Sequence, residues 1–152
     1  FEECFREQFP RLVALGRAMS VDPDTARELA QETFLRLHRN WTTVAGYEHP
    51  DAWLRRVMAN LLIDHHRARA SERRLVERLR LRTERSVPPV EVGTEWADLV
   101  ADLPVRQRLI MTLFYGEDRS IAEIAEILEI APNSVKSALS KARDTLRGRW
   151  EP

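Results

Sequence analysis

Apolar residues recur at the three- and four-residue spacing of an α-helix along most of this chain. No segment keeps the alternation of apolar and polar residues that marks a half-buried strand. One predicted helix covers residues 25–41, and its apolar positions are Ala26, Ala30, Thr33, Phe34, Leu37 and Trp41. A second predicted helix covers residues 51–69, and its apolar face carries Trp53, Leu54, Val57 and Leu61. The spacing therefore predicts an all-α fold.

Pro88 and Pro89 interrupt the helical pattern in the middle of the chain. Proline has no N–H donor, and it holds the residue before it in an extended conformation. We therefore expect two small helical domains, residues 1–72 and 94–152, joined by a flexible interdomain linker over residues 73–93. A domain of this size can fold independently, although with a small core.

The net charge of zero conceals an uneven distribution of charged residues. Residues 51–85 carry ten basic and five acidic side chains, whereas residues 86–103 carry four acidic side chains and no basic one. Affinity for a polyanion depends on such local patches rather than on the total charge. The distribution therefore remains compatible with a nucleic-acid partner.

Residues 120–147 have the pattern of a helix-turn-helix. A short predicted helix ends before the turn 129–131, and a longer helix follows it. The outer face of the longer helix carries short polar groups and cations, which suit base edges and phosphates: Asn133, Lys136, Ser137, Ser140, Lys141, Arg143 and Arg147. Glu129 stands at a turn position that is often Gly, which costs roughly 1 kcal/mol if its backbone is left-handed. The pattern favours DNA binding, and the alternative is a helical hairpin with a solvated basic face.

One edge of the 51–69 helix combines an aromatic ring, an amide and two cations, namely Trp53, Arg56, Asn60 and Arg67. Such a combination suits a single-stranded nucleic acid, and the predicted loop 42–50 beside it could close over an unpaired base. Trp53 taken alone is better explained as a core residue beside Leu54 and Val57, and Asn60 is also explained as a hydrogen-bonding group between helices. The residues alone leave both interpretations open.

Several other classes of protein are disfavoured by the sequence. It has no Gly-rich phosphate loop and no nucleophile motif, and adjacent residues such as His65 and His66 point about 100° apart on a helix, so no metal site or cofactor is expected. The single Cys4 excludes an internal disulfide, and the absence of a long apolar run argues for a cytoplasmic protein without membrane insertion. A helix-turn-helix repressor or activator and a metal-dependent DNA-processing enzyme remain as alternative hypotheses.

Three segments in order resemble the extracytoplasmic-function (ECF, group IV) subfamily of bacterial RNA polymerase sigma factors. They are ARELAQETFLRLHRNW, PDAWLRRVMANLLIDHHRAR and the stretch from LPVRQRLIMTLFY to VKSALSKARDTLR. The resemblance implies a non-catalytic subunit that joins core RNA polymerase through the β′ clamp helices and the β flap, and that confers promoter recognition. It also implies a sigma region 2 domain, a sigma region 4 domain and, commonly, an anti-sigma partner.

The resemblance further implies three sets of contact residues. Recognition and melting of the −10 element would use Asn60, Trp53, Arg56, Arg67, Val44, Ala45, Gly46, Tyr47 and Glu48. Reading of the −35 element would use Asn133, Ser134, Lys136, Ser137, Ser140, Lys141, Arg143, Arg147 and Arg119. Docking on core polymerase would use Glu28, Gln31, Glu32, Leu35 and Arg39. Ala138 stands where many members have Arg, and no fused extension is expected after Trp150.

Overall fold

Three long helices and one short helix make up the N-terminal half of the molecule, residues 1–83. They are α1 (Glu2–Ala18), α2 (Pro23–Arg39), α3 (Trp41–Val44) and α4 (Pro50–Thr83). The structure is a computed structural model that describes residues 1–83 and 94–150, with side chains for 1–80 and 94–150. The side chain of Asp22 accepts a hydrogen bond from the Thr25 backbone N–H at 3.0 Å, and Pro23 occupies the first turn of α2.

Four helices form the C-terminal half, residues 94–150: α5 (Glu95–Val100), α6 (Val105–Met111), α7 (Ile121–Leu128) and α8 (Pro132–Leu146). A π-helical turn, Thr112–Gly116, extends α6. Thr94 and Ser120 cap α5 and α7 by accepting hydrogen bonds at 3.1 Å from the N–H groups of Ala97 and Glu123. The described residues contain helices and no strand, so the predicted all-α fold is confirmed.

The apolar stripe predicted on α2 is confirmed except for Trp41, which belongs to α3 and is half-buried. Ala26, Ala30, Thr33, Phe34 and Leu37 are all buried, and α2 packs against α1 and α4. Gly16 of α1 lies where α2 crosses it, and a Cβ added there would lie 3.0 Å from the Cβ of Ala26. Leu35 is the most exposed apolar side chain of α2, and it lies away from this crossing.

The face of α4 that enters the core differs from the predicted one. Leu54 is buried as expected, but Trp53, Val57 and Leu61 are only half-buried. The core side of the helix consists instead of Ala52, Leu54, Arg55, Met58, Ala59, Leu62 and Ile63. The prediction was wrong because the buried face of α4 includes Arg55. A charged residue on that face interrupts the pattern of apolar spacing from which the face was predicted.

Two further sequence-based boundaries change in the structure. α4 continues to Thr83, so residues 73–83 of the predicted linker are helical, while residues 84–93 lie outside the described part. The first part of the predicted loop 42–50 belongs to α3, whose end places Val44 in the core. Val44 was predicted to contact the −10 element, but with 1% of its surface exposed it packs inside the N-terminal half.

The two halves pack directly on each other. α4 lies against α6 and α7, and α1 lies against α5. The buried residues of both halves form one continuous cluster, and the Thr112 hydroxyl lies 3.9 Å from the Met19 sulfur. The helix-turn-helix is therefore held against α4, with contacts at Arg56 near the start of that helix.

Candidate nucleic-acid interface

α7 and α8 form the helix-turn-helix at the predicted position. Glu129 has φ of 56° and ψ of 45°, so it does adopt the left-handed conformation in which Gly is preferred. The Ile130 N–H then donates a hydrogen bond to the Ala125 carbonyl at 3.0 Å and closes the turn. One face of α8 is buried through Val135, Leu139, Ala142 and Leu146. These contacts fix which face of α8 points to solvent.

The solvent face of α8 carries all of its predicted −35 residues. Exposed residues on and just beyond the helix are Asn133, Ser134, Lys136, Ser137, Ser140, Lys141, Arg143 and Arg147. Arg143 donates a hydrogen bond to the Tyr115 hydroxyl at 2.7 Å and lies over the Tyr115 and Phe114 rings. Arg147 pairs with Asp144 at 2.8 Å. Lys136 and Lys141 have no ion pair within the described residues, so they are the cations most available to a phosphate.

The predicted −10 residues, apart from Val44, lie at one edge of the N-terminal half. Asn60 and Arg67 are exposed on α4, and Trp53 and Arg56 are half-buried. The segment between α3 and α4 is also exposed at Ala45, Gly46, Tyr47 and Glu48. This edge therefore offers an amide, two guanidinium groups and two aromatic rings.

Arg56 is engaged by the helix-turn-helix in this arrangement. Its Nη1 atom lies 3.2 Å from the Glu129 carboxylate, and its Nη2 atom donates to the Glu126 carbonyl at 2.9 Å. A cation at the C-terminal end of a helix is favourable because the last carbonyl groups of α7 have no partner inside the helix. The turn of the helix-turn-helix and the predicted −10 edge of α4 are thus in direct contact.

Arg119 does not lie on an open DNA-facing surface. Only 12% of its side chain is exposed, its Nη1 atom lies 2.7 Å from Asp51, and its Nε atom lies 3.3 Å from Glu117. Burial alone would lower the pKa of the Arg119 guanidinium, but its contacts with Asp51 and Glu117 raise the pKa above the usual value. Burial likewise opposes the effect of Arg119 on Asp51, whose pKa is lowered overall. The predicted −35 contact is therefore an ion pair between the halves in this structure.

Arg55 completes this network from the N-terminal half. Its guanidinium is fully buried, and Nε and Nη2 donate to the two carboxylate oxygens of Glu117 at 3.1 and 3.2 Å. A third donor, Nη1, is bonded to the side-chain oxygen of Gln8. We call the four charged residues of this network, Asp51, Arg55, Glu117 and Arg119, the clasp. Paired, hydrogen-bonded geometry of this kind is what a buried charge requires.

The sequence analysis missed three members of the clasp, Asp51, Arg55 and Glu117. One signal was present, because Arg55 precedes Met58, Ala59 and Leu62 by three, four and seven residues and so belongs to their stripe. Its partner Glu117 is 62 residues away in the chain, which no local pattern reveals.

The predicted docking face on α2 is open to solvent. Leu35 is 54% exposed, and Glu28, Gln31 and Arg39 are exposed around it. Glu32 is half-buried and pairs with Arg36 at 3.1 Å. An exposed leucine among polar groups is common on protein surfaces, so its exposure alone does not identify a docking site.

The residues described by the structure provide no group of three or more His, Cys, Asp or Glu side chains that could hold a metal ion. None of the described helices has both the length and the apolar character needed to cross a bilayer.

Comparison with known proteins identifies both halves. Residues 4–72 match the family described as Sigma-70 region 2, and residues 94–146 match Sigma-70, region 4. The RNA polymerase sigma-E factor of Streptomyces coelicolor is 31% identical, with 97% of this chain and 84% of the relative covered. The ECF RNA polymerase sigma factor SigM of Mycobacterium tuberculosis is 28% identical, with 96% and 74% covered.

A solved structure shares the fold. The sigma factor RpoE of Bartonella quintana, in a co-crystal structure with the anti-sigma factor NepR, matches with a TM-score of 0.70 and 21% identity, and 97% of this chain and 94% of that chain are covered. The matched regions occur in the order expected from the three sequence segments. The chain belongs to the sigma-70 family of RNA polymerase sigma factors, in its extracytoplasmic-function class, and it directs promoter-specific initiation of transcription.

Proposed function

We propose that this chain is a non-catalytic specificity subunit of a cytoplasmic RNA polymerase, and that its two halves divide promoter recognition. The exposed edge of α4 and the segment before it hold unpaired bases of the −10 element, and α8 reads the duplex of the −35 element. The observation that carries this proposal is the separation of faces on α8, where four buried apolar residues stand opposite an exposed row of amide, hydroxyl and ammonium groups.

The −10 assignment is supported by the chemistry of the α4 edge. The exposed Asn60 amide can donate to and accept from a base edge, and the half-buried Trp53 lies on the same helix. Tyr47 is 48% exposed in the middle of the segment between α3 and α4, where a flipped base can stack on its ring. Capturing an unpaired base in this way offsets part of the few kcal/mol that unstacking costs.

The −35 assignment is supported by the solvent face of α8. Asn133, Ser134 and Ser137 lie near the start of the helix, where short side chains reach base edges in a major groove. Lys136 and Lys141 provide charges for phosphates, which position the helix without reading sequence. Arg143 is held against Tyr115 and Phe114, so its guanidinium is already oriented.

The clasp and the ion pair between Arg56 and Glu129 together make promoter binding dependent on separation of the halves. Arg56 and Arg119 are proposed DNA contacts, yet both are paired with carboxylates of the opposite half. A phosphate must displace these carboxylates before it can contact either guanidinium. We therefore place core polymerase binding, through the α2 face around Leu35, before promoter binding in the sequence of events.

Asn60→Ala is expected to lower run-off transcription with core polymerase by about tenfold or more, because a hydrogen-bonded base contact contributes about 1–3 kcal/mol. The defect should appear in promoter opening, measured by permanganate reactivity of the −10 bases, and not in core binding. Asn40→Ala is the matched control, since it removes an exposed amide whose one side-chain hydrogen bond among the described residues is to the Arg36 carbonyl in the last turn of α2. Equal opening by Asn60→Ala and the unmodified chain would contradict the −10 assignment.

Lys136→Ala and Arg147→Ala are each expected to weaken binding of holoenzyme to a −35 duplex and to reduce the slope of log affinity against log salt by about one. Arg6→Ala removes a cation from α1, outside both proposed DNA surfaces, and should leave the slope unchanged. If Lys136→Ala keeps the slope of the unmodified chain, its ammonium does not contact a phosphate. Tight duplex binding by the chain without polymerase would favour a conventional repressor or activator instead.

A further inference from the structure

A cavity of about 600 Å³ lies between the two halves, on a side of α4 that the proposed DNA contacts do not use. We call it the basic cavity. Its charged and titratable lining residues are His65, His66, Arg69 and Arg73 of α4, Arg108 of α6, and Asp22 at the start of α2; Ser20, Ala70 and Ala101 complete the lining. Three arginines therefore face one carboxylate, which leaves two uncompensated positive charges even when both histidines are neutral.

Arg108 is the least exposed of the three arginines that line the cavity. Its Nε atom is buried without a hydrogen-bond partner, and its guanidinium forms no ion pair with any described residue. Burial, together with the nearby charge of Arg73, lowers the pKa of Arg108. Arg36, Arg56 and Arg119 are also half-buried and have carboxylate partners, whereas Arg17 is half-buried and has neither an ion pair nor a hydrogen-bond partner for its Nε atom among the described residues. A guanidinium that is half-buried and unpaired loses hydration without gaining an interaction in return.

The two histidines of the cavity both have lowered pKa values, first because of burial and second because of a nearby arginine. Burial and the charge of Arg108 lower the pKa of His66 to about 4, although a hydrogen bond with the Met19 backbone acts in the opposite direction. Burial and Arg69 lower the pKa of His65, against the smaller effects of Asp22 and Glu72. The Nε2 atom of His66 is buried and has no partner among the described residues. Polar atoms of this kind are normally hydrogen-bonded in native structures, to protein groups, water or a ligand.

We propose that the basic cavity binds a small molecule that carries two or more phosphate groups. Guanidinium groups bind phosphate oxygens in bidentate geometry, and the three arginines, which lie on two helices, offer more donors than a single phosphate needs. A volume of about 600 Å³ is within the range of small-molecule sites. Arg69 and Arg73 supply charge from one half and Arg108 from the other, so a bound diphosphate bridges the halves and favours the arrangement in which they are packed together.

The proposal is independent of the DNA contacts described above, because none of the residues that line the cavity belongs to those sets. It is tested by isothermal titration calorimetry of the full chain with inorganic pyrophosphate at low ionic strength. We expect one binding site per chain and weaker binding of inorganic phosphate. Arg108→Gln and Arg73→Gln should each weaken pyrophosphate binding by about tenfold or more, since a charge-assisted hydrogen bond is lost.

Two matched controls separate the site from general attraction. Arg106→Gln removes an exposed cation from the same helix as Arg108, and Arg74→Gln does so beside Arg73, so each should retain the affinity of the unmodified chain within about twofold. Thermal melts of all four variants verify that they fold. A second readout is the pKa of His66 followed by NMR, which should rise from about 4 when pyrophosphate is bound, because an anion favours the imidazolium form.

Three results would overturn the proposal. The first is no saturable binding of pyrophosphate, and the second is an equal loss of affinity in Arg106→Gln and Arg108→Gln, which would show charge attraction without a site. The third uses a short single-stranded oligonucleotide as a separate probe. If it binds in an Arg108-dependent manner while pyrophosphate does not, the cavity is a contact for a nucleic-acid backbone.

Discussion

Glu117→Gln should destabilise the packed arrangement of this protein by about 3 kcal/mol, which is among the largest effects expected of a single substitution here. The change removes the only carboxylate within 4.0 Å of the fully buried Arg55 guanidinium, among the described residues. Removing one partner of a buried ion pair costs about 3–5 kcal/mol, because the remaining charge is left without compensation. The lower end applies because a cavity of about 490 Å³ lies beside Arg55 and Glu117 and admits water.

The measurement is the free energy of unfolding in urea, together with the radius of gyration by small-angle X-ray scattering. Glu117 belongs to the C-terminal half and Arg55 to the N-terminal half, so we expect the halves to separate and the radius to increase. Glu123→Gln is the matched control, since its carboxylate is 3.6 Å from Arg119 but 52% exposed. Surface pairs contribute about 0–1 kcal/mol, so this variant should remain close to the unmodified protein.

A double-mutant cycle measures the interaction free energy between Arg55 and Glu117. Arg55→Met removes the buried charge, while Glu117 keeps its contact with Arg119 at 3.3 Å. Combined with Glu117→Gln, Arg55→Met should therefore destabilise the protein by less than the sum of the single changes, because no buried guanidinium remains to be compensated. Additive effects in the cycle, or an effect of Glu117→Gln no larger than that of Glu123→Gln, would show that the two residues do not stabilise each other.

The clasp and the helix-turn-helix illustrate what could be predicted from this sequence and what could not. Helix spacing and the turn 129–131 are local patterns, so the helix-turn-helix and the exposed set on α8 were predicted correctly from neighbouring residues. The sequence also marked Glu129 as a position where Gly is frequent, and the structure shows that its backbone is left-handed. Local geometry alone determines these features, which is why sequence spacing is sufficient for them.

The N-terminal interface was predicted less well because it depends on contacts between distant residues. Arg55 is buried only because Gln8 and Glu117 reach it from 47 and 62 residues away. From the sequence alone, an arginine is taken to indicate a solvent-exposed face. Because Arg55 was taken as exposed, the predicted core face of α4 was placed on Trp53, Val57 and Leu61. Val44 was assigned to a loop, but the short helix α3 turns it inward. Similarly, the family resemblance placed Arg119 among the DNA contacts. No local pattern showed that Asp51, in the other half, pairs with it.

Leu35→Asp should lower the affinity of this chain for core RNA polymerase by about thirtyfold or more. We propose that Leu35 is the apolar centre of the docking face on α2, where it is 54% exposed among Glu28, Gln31 and Arg39. Protein–protein interfaces usually have an apolar centre and a polar rim. Loss of a side chain at the centre costs about 2 kcal/mol or more of binding free energy. Aspartate both removes that contact and places a charge in the desolvated centre.

Leu75→Asp is the matched control for this prediction. Leu75 is 58% exposed on α4. Its replacement by Asp has the same helix-propensity cost as Leu35→Asp and removes a similar amount of exposed apolar surface, but it leaves α2 unchanged. Affinity is measured by fluorescence anisotropy of the labelled chain titrated with core polymerase, and thermal melts verify that both variants fold. Leu35 buries no large surface in the free protein, so its loss should leave the melting temperature nearly unchanged while binding falls. Equal affinities of Leu35→Asp and Leu75→Asp for core polymerase would remove this face of α2 from the docking surface.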